Sequence, residues 1–185
     1  MLVNVLGTVV GSSQWTELLG SDAESVEICE YSDMHYYNVR PRGISFQVEP
    51  TTKEIQTIDL YHQQRRWGEW PKYPICIDFV RDENHDTLEI TPHTTALQLV
   101  EKLGEPLRKG GAEAGGPTAR ALGPAMWTEW CIEARRSSSE RIALYIMVEY
   151  AGEAARAPDR WEKGRGSEAP WAAIAISCKP ANSSK

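Results

Sequence analysis

Four histidines, His35, His62, His85 and His93, are the side chains of this sequence best suited to moving protons near neutral pH, because a free imidazole titrates near 6.5. Two have a carboxylate close by in the chain: Asp33 stands two positions before His35, and Asp59 three before His62. Folded onto one sheet face, Asp33, His35, Asp59 and His62 would make a small-molecule site or a hydrolase with His62 as base. No His-x-x-x-His or His-Glu-x-x-His spacing occurs, so no helix face offers two metal ligands. The run from Arg81 to Asp86 lacks the glycine and distal glutamate of a calcium loop. A nucleophile elbow, a phosphate loop and a dinucleotide fingerprint are also missing from the sequence. These absences favour a protein without catalytic residues, cofactor or metal, and leave the His/Asp site as the alternative.

Binding chemistry is better represented. The chain has seven tryptophans. Trp15, Trp127, Trp130 and Trp171 fall within expected elements and read as core. Trp67 and Trp70 lie between two strands, in a stretch running from Gln63 to Pro71 with two arginines. Arg160 and Trp161 belong to a long basic and aromatic connection over 151–170. Tryptophan beside arginine is the composition of an interface anchor, so Trp67, Trp70, Arg160 and Trp161 are the candidate partner-binding residues. The loop over 110–123, rich in Gly and Ala, has little to bury and no assigned role.

The net charge of −6 opposes nucleic-acid binding, which depends on cationic neutralisation of phosphates. No run approaches the ~20 apolar residues needed to span a bilayer, so no membrane role is expected. Cys29, Cys76, Cys131 and Cys178 are widely spaced, without a Cys-x-x-Cys pair, and read as free thiols of a cytoplasmic protein.

The elements that would position these groups are legible. Ala96, Leu99, Val100, Leu103 and Leu107 form a helical stripe, opened by a Thr95/Gln98 capping box and closed by Gly104 and Pro106. A shorter copy runs from Ser12 to Gly20, with Ser13 as its cap. Period-two alternation marks Ile44 to Val48, Ile55 to Tyr61, Ile75 to Phe79 and Trp171 to Cys178 as strands. Strands are also expected at Met1 to Val10, Tyr36 to Val39, Thr87 to Ile90 and Met126 to Glu133. Ile142 to Tyr150, apolar on both sides, belongs in the middle of a sheet. The sum is an α+β domain over 1–179, a curved antiparallel sheet with two short helices on one face. It would be built from related halves at about 12–62 and 94–150, with a disordered tail at 180–185.

This order, with the turn Leu103-Gly104-Glu105-Pro106, resembles the helix-plus-sheet repeats of β-lactamase inhibitor proteins and of outer-membrane-assembly lipoproteins. The segments Gly43 to Phe46 and Ile55 to Tyr61 also resemble uncharacterised immunity-like and phagophore-associated families. The chain departs from the lipoproteins in lacking a lipidation cysteine near its start, and both long loops are additional. The resemblance implies a non-catalytic protein that binds another protein, in an inhibitor-like or immunity-like manner. A homodimer is compatible with it.

Overall fold

Alternation of apolar and polar side chains builds most of the structure. The computed structural model describes residues 2–62, 75–81, 84–111, 126–135, 141–157, 161 and 166–178. The strands are β1 (Glu27–Glu30), β2 (His35–Val39), β3 (Ile44–Val48), β4 (Ile55–Tyr61), β5 (Ile75–Arg81), β6 (Asn84–Ile90), β7 (Arg108–Gly110), β8 (Trp127–Arg135), β9 (Arg141–Tyr150) and β10 (Trp171–Ser177). Among the described residues they form one antiparallel sheet in the order β1-β2-β3-β4-β10-β9-β8-β5-β6. Strand β7 shares one edge of β8 with β5: it pairs at Trp127 to Glu129, and β5 pairs at Glu133 and Ala134.

The helices are α1 (Ser13–Leu19) and α2 (Ala96–Leu103), and both serve the same face of the sheet. Helix α1 buries Trp15 and Leu19, with the Trp15 ring edge-on to Phe46 of β3 at 4.8 Å. Its cap is Ser12, one residue earlier than the sequence suggests, and the Ser12 hydroxyl accepts from the Trp15 amide. Helix α2 buries Ala96 and Leu99. The Trp130 indole of β8 donates to the Gly104 carbonyl at 2.9 Å, pinning the end of α2 to the sheet. The capping box is present: Thr95 and Gln98 each satisfy the other's backbone amide. Thr95→Ala should therefore cost about 1 kcal/mol in urea unfolding, with Thr95→Ser close to wild type.

The core is one cluster on this helix-bearing face, including Phe46, Ile58, Leu60, Phe79, Leu88, Trp130, Leu144, Ile146, Val148, Ile174 and Ile176. Strand β9 lies between β8 and β10, the central position that its apolar sequence calls for. The N-terminal segment differs from the expected strand. Leu2–Val5 is a 3-10 turn, and Leu2, Val3, Val5 and Leu6 are all buried. Adjacent apolar pairs cannot all face one side of an extended chain, and a tight turn lets them enter the core together. Within this segment Val9 makes an isolated bridge to Glu54.

Strands β1 to β4 form a meander after α1, strands β7 to β10 a second meander after α2, and the two meet where β4 pairs with β10. No helix among the described residues is long and apolar enough to cross a membrane.

Candidate functional site

Residues paired across neighbouring strands share a face, so the register alone assembles the face opposite the helices. One row runs Glu129, Met147, Ala175, Asp59, Ser45, Asn38 and Glu27 from β8 to β1. The row on one side of it is Trp127, Glu149, Ala173 and Tyr61. On the other side lie Cys131, Tyr145, Ser177, Thr57, Gln47, Tyr36 and Cys29. This outer face mixes polar and aromatic residues where the inner face is apolar.

Its middle is a trough. Strand β10 presents only Ala173, Ala175 and Ser177 outward, while its neighbours present Tyr61, Asp59 and Thr57 on one side and Glu149, Met147 and Tyr145 on the other. Strands two apart stand about 10 Å from each other, so small side chains on β10 leave a floor between taller walls.

Asp59 is the unusual group. It is 8% exposed, in a row whose other buried polar groups are satisfied: Ser45 bonds Asn38, and Glu129 pairs with Arg108. Its Oδ2 accepts from the Gln47 amide at 2.8 Å, and the described residues give Oδ1 no donor and the carboxylate no cation. Burial lifts its pKa from 3.8 to about 6; the Gln47 bond opposes this, and the Glu149 charge adds to it. Tyr61 titrates above its usual range, first from burial and then from the charges of Asp59, Tyr36 and Glu149. Tyr36 is raised by burial, by Asp59 and by Asp33. From β8 to β1 three other carboxylates of the face are matched: Glu129 with Arg108, Glu133 with Arg141, and Glu27 with Arg40. Asp59 and Glu149, at the trough, have no such match among the described residues.

The four residues of the expected His/Asp site do not converge. Asp59 and Asp33 both act on Tyr36, with Asp33 exposed in the β1–β2 turn. His35 pairs with Val48, a core residue, and so lies on the opposite face from Asp59; its Nδ1 is 3.4 Å from Lys53 Nζ and 3.7 Å from Glu30. His62 stacks on the buried Trp171 at 5.1 Å, and burial, then His93, lowers its pKa. The register puts His35 level with Ile55, seven residues from His62, or roughly 20 Å along the strand. The two histidines cannot share one substrate.

Of the expected anchors, Trp67, Trp70 and Arg160 lie outside the described residues. Trp161 is 42% exposed, with Lys109 of β7 over its ring at 5.7 Å. Trp15, Trp130 and Trp171 are buried as expected. Trp127 is half-buried on the outer face, and its indole covers Gly110, where an added Cβ would sit 2.7 Å from the ring. The tyrosines, which sequence reasoning passed over, supply the aromatic surface instead. The alternation that makes β2, β4 and β9 strands also marks Tyr36, Tyr61 and Tyr145 as the residues off the apolar phase.

A separate cleft of about 540 Å³ lies between α2 and β6, lined by Glu89, His93, Gln98, Glu101 and Lys102 among others. Lys102 pairs with Asp86 there. Among the described residues no group of three or more His, Cys, Asp or Glu could hold a metal ion. Compared with protein-family models, with curated proteins and with solved structures, the chain matches none of them.

Proposed function

We propose that this chain is a non-catalytic binding protein whose contact surface is the outer face of the sheet, and that its partner is another protein. The observation that supports it most is the concentration of tyrosines, Met147 and unmatched carboxylates on the face that the described helices leave uncovered. Tyrosine and methionine are enriched at interfaces, and a largely buried carboxylate without a cation, as Asp59 is, is costly to maintain without a use. The exposed Trp161 is a second contact point under this reading, as are Trp67, Trp70 and Arg160 from their sequence context. The hydrolase alternative is left without its histidine pair.

Two further readings go with it, the first from the order of the elements. The chain is built from two related helix-and-meander halves, and the likeness to inhibitor-type repeats is one of architecture. Four cysteines without a disulfide suit a reducing compartment, and we place the protein in the cytoplasm.

The test is site-specific photocrosslinking in cells of the source organism. A photoreactive residue at Met147, on the outer face, should give a discrete adduct with another polypeptide. The same residue at Leu97, exposed on α2 at 45%, should not. No adduct from Met147, or the same adducts from both positions, would contradict the assignment.

A further inference from the structure

We infer that the trough over β10 receives a cationic side chain of the partner, an arginine or lysine, seated between Asp59 and Glu149 with Tyr61 and Tyr36 beside it. The inference rests on the binding reading above and gives that surface its chemistry.

Three independent features converge on a cation. The first is Asp59 itself. A carboxylate only 8% exposed is normally paired with a cation, and Oδ1 of Asp59 is not sealed off, so an incoming donor can reach it. Here Oδ2 has Gln47, while the described residues leave Oδ1 without a donor. Gln47 from β3, Tyr36 from β2, Tyr61 from its own strand and Glu149 from β9 are the groups facing it. None is a cation.

The second feature is the contrast with the carboxylates of β8 and β1 on the same face. Arg108, Arg141 and Arg40 each take a carboxylate on β8 or β1. Asp59 and Glu149, on opposite walls of the trough, take none of these. A guanidinium or ammonium placed over Ala173 and Ala175 would reach both walls, and it would convert the repulsion between two acids into two attractions.

The third feature is shape and aromatic lining. Ala173 and Ala175 keep the floor low, so the aliphatic stem of a long side chain can lie along it. Tyr36 and Tyr61 stand close enough to feel the Asp59 charge, and aromatic side chains near a carboxylate suit a cation. A neutral or anionic group would gain nothing from the carboxylates. The net charge of −6 favours the approach of a basic partner.

The test is an NMR titration of the ¹⁵N-labelled protein with the acetylated pentapeptide Gly-Arg-Gly-Arg-Gly, with citrulline replacing arginine in the neutral control. Amide signals of Ala173, Ala175 and Glu149 and the Gln47 side-chain amide should shift. The citrulline peptide, and the variants Asp59→Asn and Glu149→Gln, should each bind at least about tenfold more weakly, as expected for losing a charge-assisted contact. Equal binding of the two peptides, or undiminished binding by Asp59→Asn, would overturn the proposal. So would shifts confined to other parts of the molecule. Should the peptide fail while Met147 still crosslinks a partner, the cation assignment falls and the contact face stands. Should both fail, the face itself is misassigned. Asp59→Asn removes charge rather than packing, and its melting curve separates lost binding from lost folding.

Discussion

Asp59→Asn should make the protein more stable at pH 7.5 and leave its stability almost unchanged at pH 3.5. The sign follows from the carboxyl being harder to ionise in the folded chain than in the unfolded one. Its folded pKa stands at about 6 against the ordinary 3.8, chiefly through burial. The folded state thus holds the proton more tightly, and wild-type stability falls as pH rises between these two values, then levels off. A difference of that size corresponds to at most about 3 kcal/mol at neutral pH, or roughly 5–10 °C in melting temperature for a chain of this length. Asparagine keeps the acceptor for Gln47 without the charge. Melting curves of both proteins from pH 3.5 to 8 would show the gap opening across the window. A variant less stable than wild type at pH 7.5, or a gap that does not vary with pH, would refute the assignment. A residue that costs stability and improves binding is the usual trade-off at a functional site.

Trp171→Ala should be the most damaging single change, removing about 3–5 kcal/mol from a total stability that is typically only about 5–15. The side chain is fully buried on the central strand β10. Its indole donates to the Thr91 carbonyl at 2.9 Å, which ties the β6–α2 connection to the sheet, and the His62 ring packs on it. Alanine would leave a large cavity and an unmatched carbonyl together. Trp171→Phe keeps most of the volume and loses the donor, so it should fall between, at about 1–3 kcal/mol below wild type. Urea unfolding monitored by circular dichroism measures both. A loss under about 1 kcal/mol for alanine would mean that this tryptophan does not organise the centre of the sheet.

The strands that proved easiest to read were those half-buried in the sheet. Ile44 to Val48 and Ile55 to Tyr61 announce themselves by alternation because one face meets the core and the other meets polar groups. Strands β1 and β7 gave no such signal. Glu27–Glu30 is nearly all exposed, and Arg108–Gly110 is three residues long, so neither has an apolar phase to detect. The N-terminal segment misled for the opposite reason, since it is apolar throughout and a tight turn hides its residues as well as a strand would. Both helices were legible from caps and stripe, apart from the one-residue shift from Ser13 to Ser12.

The site was harder. Asp59 could be selected from the sequence, but its environment could not, because Gln47, Tyr36 and Glu149 reach it only through pairings of β2, β3, β9 and β10. Register also separated His35 from His62. Both stand beside carboxylates in sequence, yet His35 is level with Ile55, seven residues before His62, and lies on the opposite face from Asp59. Pairing order is set by the whole sheet and leaves no local trace in the chain.

The most direct measurement is the titration of the Asp59 carboxyl carbon by NMR, in the free protein and again with the arginine pentapeptide. The free carboxyl should titrate near 6, and bound peptide should draw the midpoint down, because a cation beside it favours the ionised form. A midpoint near 4 that the peptide does not move would contradict both the buried, unmatched carboxylate and the cation site built on it.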